Sequence, residues 1–263
     1  MVTGGPLGKI TFTMIGSYKH FKSFEVDSFD VFLKAIKSSD ESIRTDKEIE
    51  LIIFRGQSVD ENLLPRIGRK KYDKPNKGQI EQRIFDEFKR LYLPHIQNPN
   101  LKDWDILALA QHYFLPTRLL DWTENPLVAL WFAFYEEKPP ANDRVVWCFG
   151  FTKEYLLEPN QEEGLFEHKK TIVFKPRHIT QRLINQTGWF TSHFYSQENN
   201  RFSALNNLSP HWKHLHRISF SNKSDSFRKQ ILKQLNTFGI NSYSIFPDME
   251  GLCYYLEWKT YFQ

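Results

Sequence analysis

Apolar residues along this chain change their spacing several times, and each change marks an element. Ile10 to Ile15 alternates apolar with small polar positions and predicts a short strand. Phe29, Phe32, Leu33 and Ile36 recur at helical spacing behind a cap at Asp27-Ser28. Ile49 to Phe54 is a compact run rich in β-branched residues and closed by Gly56, the pattern of a buried strand. Ile80, Ile84, Phe85, Phe88 and Leu91 form one face of an amphipathic helix that Pro94 stops. Asp103 caps a further helix through Ala110, Leu115 to Trp122 is extended around Pro116, and Asn125-Pro126 opens a helix running to Phe134. Strands follow at Arg144 to Phe151, Thr171 to Phe174, Trp189 to Phe194 and Arg217 to Phe220, with a helical turn at Ile179 to Ile184. Ser224 to Phe238 reads as a helix closed by Gly239, Tyr243 to Phe246 as a last strand, and Gly251 to Tyr261 as a last helix. Strands and helices alternate irregularly. That implies an α+β fold in a single domain, 1–263, with a mixed or antiparallel sheet and peripheral helices rather than a doubly wound parallel sheet. Residues 1–9 are read as a tail.

Composition narrows the class. Of 263 residues, 40% are hydrophobic and 16% aromatic, enough to bury a full core without staples. The net charge of +4 is too weak by itself to imply a nucleic-acid binder. Charge is nevertheless concentrated at Arg66, Arg69, Lys70, Lys71, Lys74 and Lys77, which reads either as a solvated loop or as a contact for a polyanion such as RNA. Cys148 and Cys253 sit in apolar runs and are expected to be buried free thiols. The tract His211-Trp212-Lys213-His214-Leu215-His216 lacks matching carboxylates or cysteines, so no metal site is expected. The chain start has no secretory pattern and no apolar run reaches about 18 residues, so a cytoplasmic protein without a membrane span is expected. Glycine-rich phosphate loops and the nucleophile elbow of serine hydrolases are absent from the sequence.

Two places carry chemistry rather than packing. Arg55 leaves the end of an apolar strand, where a guanidinium is costly to bury unless paired. A rigid strand end would aim its fork at a phosphate or carboxylate, and Gly56 would let backbone approach a ligand. The structural alternative pairs Arg55 with a carboxylate such as Asp121. The second place is the segment from Gln111 to Asn125, dense in polar side chains between two apolar helices. Thr123 precedes a helix start whose N–H groups would favour an anion, unless Thr123 or Glu124 simply caps that helix.

Phe54-Arg55-Gly56-Gln57, Gln111-His112-Tyr113, Pro116-Thr117-Arg118-Leu119-Leu120-Asp121-Trp122-Thr123 and Asn125-Pro126-Leu127-Val128-Ala129-Leu130 together resemble the FRG domain. Gln186, Gly188, Phe190 and Thr191, then Phe246-Pro247-Asp248 with Gly251-Leu252, are similar to its later motifs, so the core motifs span residues 49–256. Phe114 departs from the family, which usually has glycine there. The order of elements is also similar to that of ADP-ribosyltransferases, although their usual Ser-Thr-Ser and Glu-x-Glu strands are missing. This resemblance implies an ADP-ribosyltransferase-like enzyme that takes NAD as its cofactor and transfers ADP-ribose to a macromolecular acceptor such as RNA. It further implies a toxin or anti-phage effector restrained by an antitoxin protein. The alternative is an RNA-binding or nuclease-like module without NAD chemistry. Under the first reading Arg55, Thr123 and either Glu250 or Asp248 are catalytic, with Gln186 a competing position for the acid and helix capping a competing role for Asp248. Phe54, Gly56, Gln57, His112, Tyr113, Thr117, Arg118, Asp121, Trp122 and Asn125 would bind NAD. Tyr113 or Trp122 would stack on nicotinamide, and His112 and Asp121 would orient Arg55 and Arg118.

Overall fold

Eight strands hydrogen-bond into one sheet in the computed structural model, which describes residues 10–14, 20–96, 100–137, 143–157, 164–177, 187–208 and 213–261. The strands are β1 (Ile10–Met14), β2 (His20–Val26), β3 (Ile49–Gln57), β4 (Leu119–Thr123), β5 (Arg144–Thr152), β6 (Ile172–Phe174), β7 (Gly188–Ser192) and β10 (Leu215–Phe220); a separate ribbon pairs β8 (Tyr195–Ser196) with β9 (Arg201–Phe202). The order across the sheet is β1-β2-β10-β5-β3-β4-β7-β6. The β2–β10 pair is parallel and the other neighbours are antiparallel, so the sheet is mixed and the whole is a single α+β fold. Ile53, Phe149, Trp147 and Trp122 bury one face. Ile52, Phe54, Val146 and Ile218 bury the other against α1 (Phe29–Ile43), α4 (Pro126–Phe134) and α5 (Asp225–Thr237). Two further helices, α2 (Lys77–Leu91) and α3 (Asp103–His112), pack beside the β4 end around Phe85, Leu107 and Leu119.

Several boundaries differ from the pattern-based expectation. Strand β2 was not expected, because Lys22 and Ser23 interrupt its apolar alternation; Phe21, Phe24 and Val26 are buried all the same. Tyr243 to Phe246 is not a strand. Tyr243 to Ile245 lies in the short helix α6 (Ser242–Ile245), with Phe246 as its C-cap; the Asn241 side chain accepts from Ser244 N at 3.0 Å and Ser244 Oγ accepts from Asn241 N at 2.9 Å. That local capping box satisfies the backbone without a neighbouring strand. Asp103 is the first residue of α3 and Lys102 holds the cap position. The expected strand through Phe194 ends at Ser192, and His193 then turns inward to meet the Ser203 carbonyl at 2.7 Å. The last helix, α7, runs Met249–Tyr261. Cys148 is buried, and burial pushes its thiol up to about 12, whereas Cys253 is exposed. The expected tail, the turn at Ile179 to Ile184, and Gln186, His211 and Trp212 lie outside the described residues.

Candidate functional site

Strands β3 and β4 touch at one register position, Phe54 opposite Thr123. The other edges of both strands stay paired, β3 with β5 as far as Gln57 and β4 with β7 as far as Leu119. The sheet therefore opens as a wedge between Arg55–Gln57 and Leu119–Trp122. A cavity of about 660 Å³ occupies this wedge, with Phe54, Gly56, Gln57, Asp121 and Thr123 in its walls. That volume suits a ligand larger than a single ring system.

Arg55 crosses the wedge. Its Nη1 donates to the Asp121 carbonyl at 2.7 Å and lies 3.7 Å from Asp121 Oδ2. Its Nε is buried with no hydrogen-bond partner among the described residues. Burial draws the guanidinium down to about 10, opposed by the Asp121 carboxylate and helped by Arg69, so Arg55 stays charged at neutral pH. The two readings of Arg55 thus merge: it is tied to the Asp121 backbone, lines the cavity, and keeps a buried Nε without a partner among the described residues. Asp121 itself has 56% of its side chain exposed, so it is not the buried partner that the dense segment suggested. Gln111 Nε2 donates to it at 3.2 Å, and Thr117 Oγ1 donates to Gln111 Oε1 at 2.8 Å. Residues 111, 117 and 121 form a relay that aims a carboxylate into the opening.

Gly56 does a different job from the expected one. A Cβ there would lie 1.7 Å from the Ala129 carbonyl oxygen, so its bare backbone admits helix α4 rather than a ligand. Gln57 accepts from Trp147 Nε1 at 2.9 Å. The start of α4 is also used internally. Thr123 Oγ1 accepts from Asn125 N at 3.1 Å and lies 3.5 Å from Thr187 Oγ1, and Asn125 Oδ1 accepts from Leu127 N at 2.9 Å. Those N–H groups are capped and do not wait for an anion. Glu124 binds Lys175 and Trp189 Nε1, both at 2.7 Å, which lowers its carboxyl below the usual range even though burial opposes the shift.

The remaining expected residues divide. His112 lines the cavity, but Tyr113 is 63% exposed and does not. Trp122 reaches the cavity wall, yet its ring packs against Phe149 and its Nε1 donates to buried Thr191 at 3.0 Å, which leaves no face for stacking. Arg118 is withdrawn from the site. It is 1% exposed and locked to Glu81, which accepts from Arg118 N, Nε and Nη2 at 2.6, 2.9 and 2.8 Å. Asp248 and Glu250 are also absent from the cavity wall. Asp248 Oδ1 caps α7 by accepting from Gly251 N at 2.8 Å, and Glu250 is an exposed first-turn acid of the same helix.

The structure adds Glu61, Phe132, Tyr135 and Glu136 to the cavity wall, and it also places there Arg66 and Arg69 of the basic stretch and the family-departing Phe114. Arg66 donates to Tyr72 Oη at 2.9 Å and to the Phe114 carbonyl at 2.7 Å, while Arg69 pairs with Glu61. Thus the basic stretch contributes two arginines to the same opening as Arg55, and its excess of charge was the available signal. Phe114 holds φ +65°, the left-handed position after α3. Leu115 N donates to the Ala110 carbonyl and Phe114 N to the Gln111 carbonyl, each at 2.9 Å, a helix stop that favours glycine. No cluster of His, Cys, Asp and Glu suited to a metal occurs among the described residues, and none of their helices is long and apolar enough to cross a membrane. Among known families, the FRG domain matches residues 50–142, which include Arg55, Gln111 and Asp121. No curated protein and no solved structure matches the chain.

Proposed function

This chain carries an FRG domain over residues 50–142, and from that premise we propose that its wedge cavity binds NAD and passes ADP-ribose to a macromolecular acceptor such as RNA. The observation that carries the reading is Arg55, a charged donor with an unpartnered Nε set beside the Asp121 carboxylate in an opening large enough for a dinucleotide. Arg55, with Arg66 and Arg69 at the same cavity, would hold the pyrophosphate. Phe132 and Tyr135, which also line the cavity, would supply aromatic contacts for a planar ring. In the transfer, the bond between ribose C1′ and the nicotinamide nitrogen breaks and its electron pair leaves with nicotinamide. A nucleophile of the acceptor then bonds to C1′ and gives up its proton. The intervening ribose carries positive charge, as in glycoside cleavage. Asp121, held by Gln111, is the carboxylate placed to stabilise it, and it takes the role first given to Glu250 or Asp248.

Incubation with NAD labelled in the adenylate tests this. Wild-type protein should transfer label to protein or RNA, and Asp121→Asn should slow that transfer by roughly 10²–10³ while still binding NAD. Absence of label transfer, together with salt-sensitive retention of RNA, would replace the proposal with the RNA-binding reading. An effector role restrained by an antitoxin belongs to the same proposal. It requires that expression of the wild type arrest growth and that Asp121→Asn not do so.

A further inference from the structure

A second cavity, of about 210 Å³, lies between α4, α5 and α7. Trp131 and Tyr135 form one wall with their rings stacked 4.5 Å apart at 28°. Helix α7 supplies Tyr254 and Trp258. Two indoles and two phenols around so small a space suit one planar ring system and exclude a dinucleotide. The cation in the wall, Arg228, is already neutralised: its Nε donates to Asp225 Oδ1 at 3.0 Å and its Nη2 lies 3.9 Å from Glu137 Oε1. A phosphate therefore has no claim on it. The polar edge sets donors beside the Glu137 and Glu257 carboxylates, a mixture that suits a base edge carrying both an acceptor and an N–H. Asn236 Oδ1 accepts from Asn241 Nδ2 at 3.0 Å, which leaves the Asn236 amide nitrogen to donate. Trp258 Nε1 is buried with no acceptor among the described residues, an unsatisfied state that a ligand acceptor would relieve. Helix α7 buries only Gly251 fully, so it can adjust around a guest.

We propose that this cleft binds a nucleobase, uncharged and flat, whose ring nitrogen or carbonyl oxygen accepts from Trp258 Nε1 and the Asn236 amide. A free base and a base within RNA present the same ring edge, and the test separates the two sources. The site is separate from the wedge cavity and does not depend on NAD chemistry there, although Tyr135 borders both.

The test is a proton NMR titration that follows the Trp258 indole N–H, assigned by its loss in Trp258→Phe. Adenosine, guanosine, cytidine and uridine are added in turn, then a short oligoribonucleotide. At least one nucleoside should shift the resonance with saturation below about 1 mM. Trp258→Phe keeps an aromatic ring but removes the indole N–H, and by calorimetry it should bind that nucleoside roughly tenfold more weakly. Tyr254→Ala, at an exposed wall position, should weaken binding without altering the melting curve, which keeps the test decisive should Trp258→Phe fail to fold. Tighter binding of the oligoribonucleotide would identify RNA as the source, and equal binding a free nucleoside. The proposal is overturned if no nucleoside shifts the resonance, if Tyr254→Ala binds as well as wild type, or if indole binds as tightly as every nucleoside.

Discussion

Gly56→Ala separates a packing role from a ligand role at the centre of the FRG motif. A single methyl placed there would stand 1.7 Å from the Ala129 carbonyl oxygen and 2.8 Å from both Ala129 C and Ala133 N. Ordinary contact begins at 3.4 Å, so the local gap must open by about 1.7 Å. All three obstacles are backbone atoms of α4, and no rotamer can relieve them. The helix cannot retreat freely either, because Val128, Ala129, Leu130, Trp131, Ala133 and Phe134 are all buried. Overpacking a core typically costs about 1–3 kcal/mol, and a backbone collision belongs at the upper end, so a loss of about 3 kcal/mol is expected. Urea denaturation of the purified variant, compared with wild type at matched slope, measures it. A loss below about 0.5 kcal/mol, the level of an ordinary surface change, would refute the reasoning. It would mean that α4 does not sit against β3 in this way and that Gly56 is there for a ligand.

Phe114→Gly should stabilise the protein by about 1 kcal/mol, because it relieves an L-residue held at φ +65° while the lost ring is 66% exposed; a lower melting temperature would show that the ring packs more than its exposure implies. Glu81→Gln should cost about 3–5 kcal/mol in urea denaturation, since it strands the guanidinium of Arg118 at 1% exposure. Near-wild-type stability would show that Glu81 and Arg118 do not form the buried pair described above. His168 and His216 are each held down from 6.5 to about 4, chiefly by burial, with Arg118 adding to the first and Lys22 to the second. The folded protein thus refuses protons that the unfolded chain takes up. Stability is full above pH 6.5 and falls as pH drops towards about 4, by up to about 3 kcal/mol per histidine. Melting temperatures between these pH values should fall less steeply for His216→Leu than for wild type, and equal slopes would refute the assignment.

The sequence showed local features and missed those made by distant partners. Strand β3 and the Asn125-capped helix were legible because apolar runs and caps are written in adjacent residues. Irregular alternation implied an α+β fold with a mixed or antiparallel sheet, but the parallel β2–β10 contact that makes it mixed joins segments almost two hundred residues apart and left no local mark. Arg55 was visible as an arginine out of place on an apolar strand. The roles of its neighbours were not, because they depend on what each faces. Gly56 meets α4, and Arg118 meets Glu81 on a helix 37 positions earlier. Asp248 and Glu250 were chosen on the premise of a preceding strand. That segment is instead the capped helix α6, so they open another helix away from the cavity wall. Phe114 was noted as a departure from the resembled family, and its positive φ is a backbone conformation that favours glycine.

The most direct test of the NAD assignment is equilibrium binding of NAD by calorimetry to wild type and to Arg55→Ala, with the melting curve of each recorded alongside. Arg55 Nε is buried without a partner among the described residues, and charge-assisted hydrogen bonds contribute about 1.5–3 kcal/mol, so removal should weaken binding roughly 10- to 100-fold. Arg55 also holds the Asp121 carbonyl across the wedge, so a small fall in melting temperature is expected, but unfolding is not. That combination, weaker binding in a folded variant, is the predicted result. Failure of the wild type to bind NAD, or equal binding by a folded Arg55→Ala, would contradict the assignment of the wedge cavity to NAD.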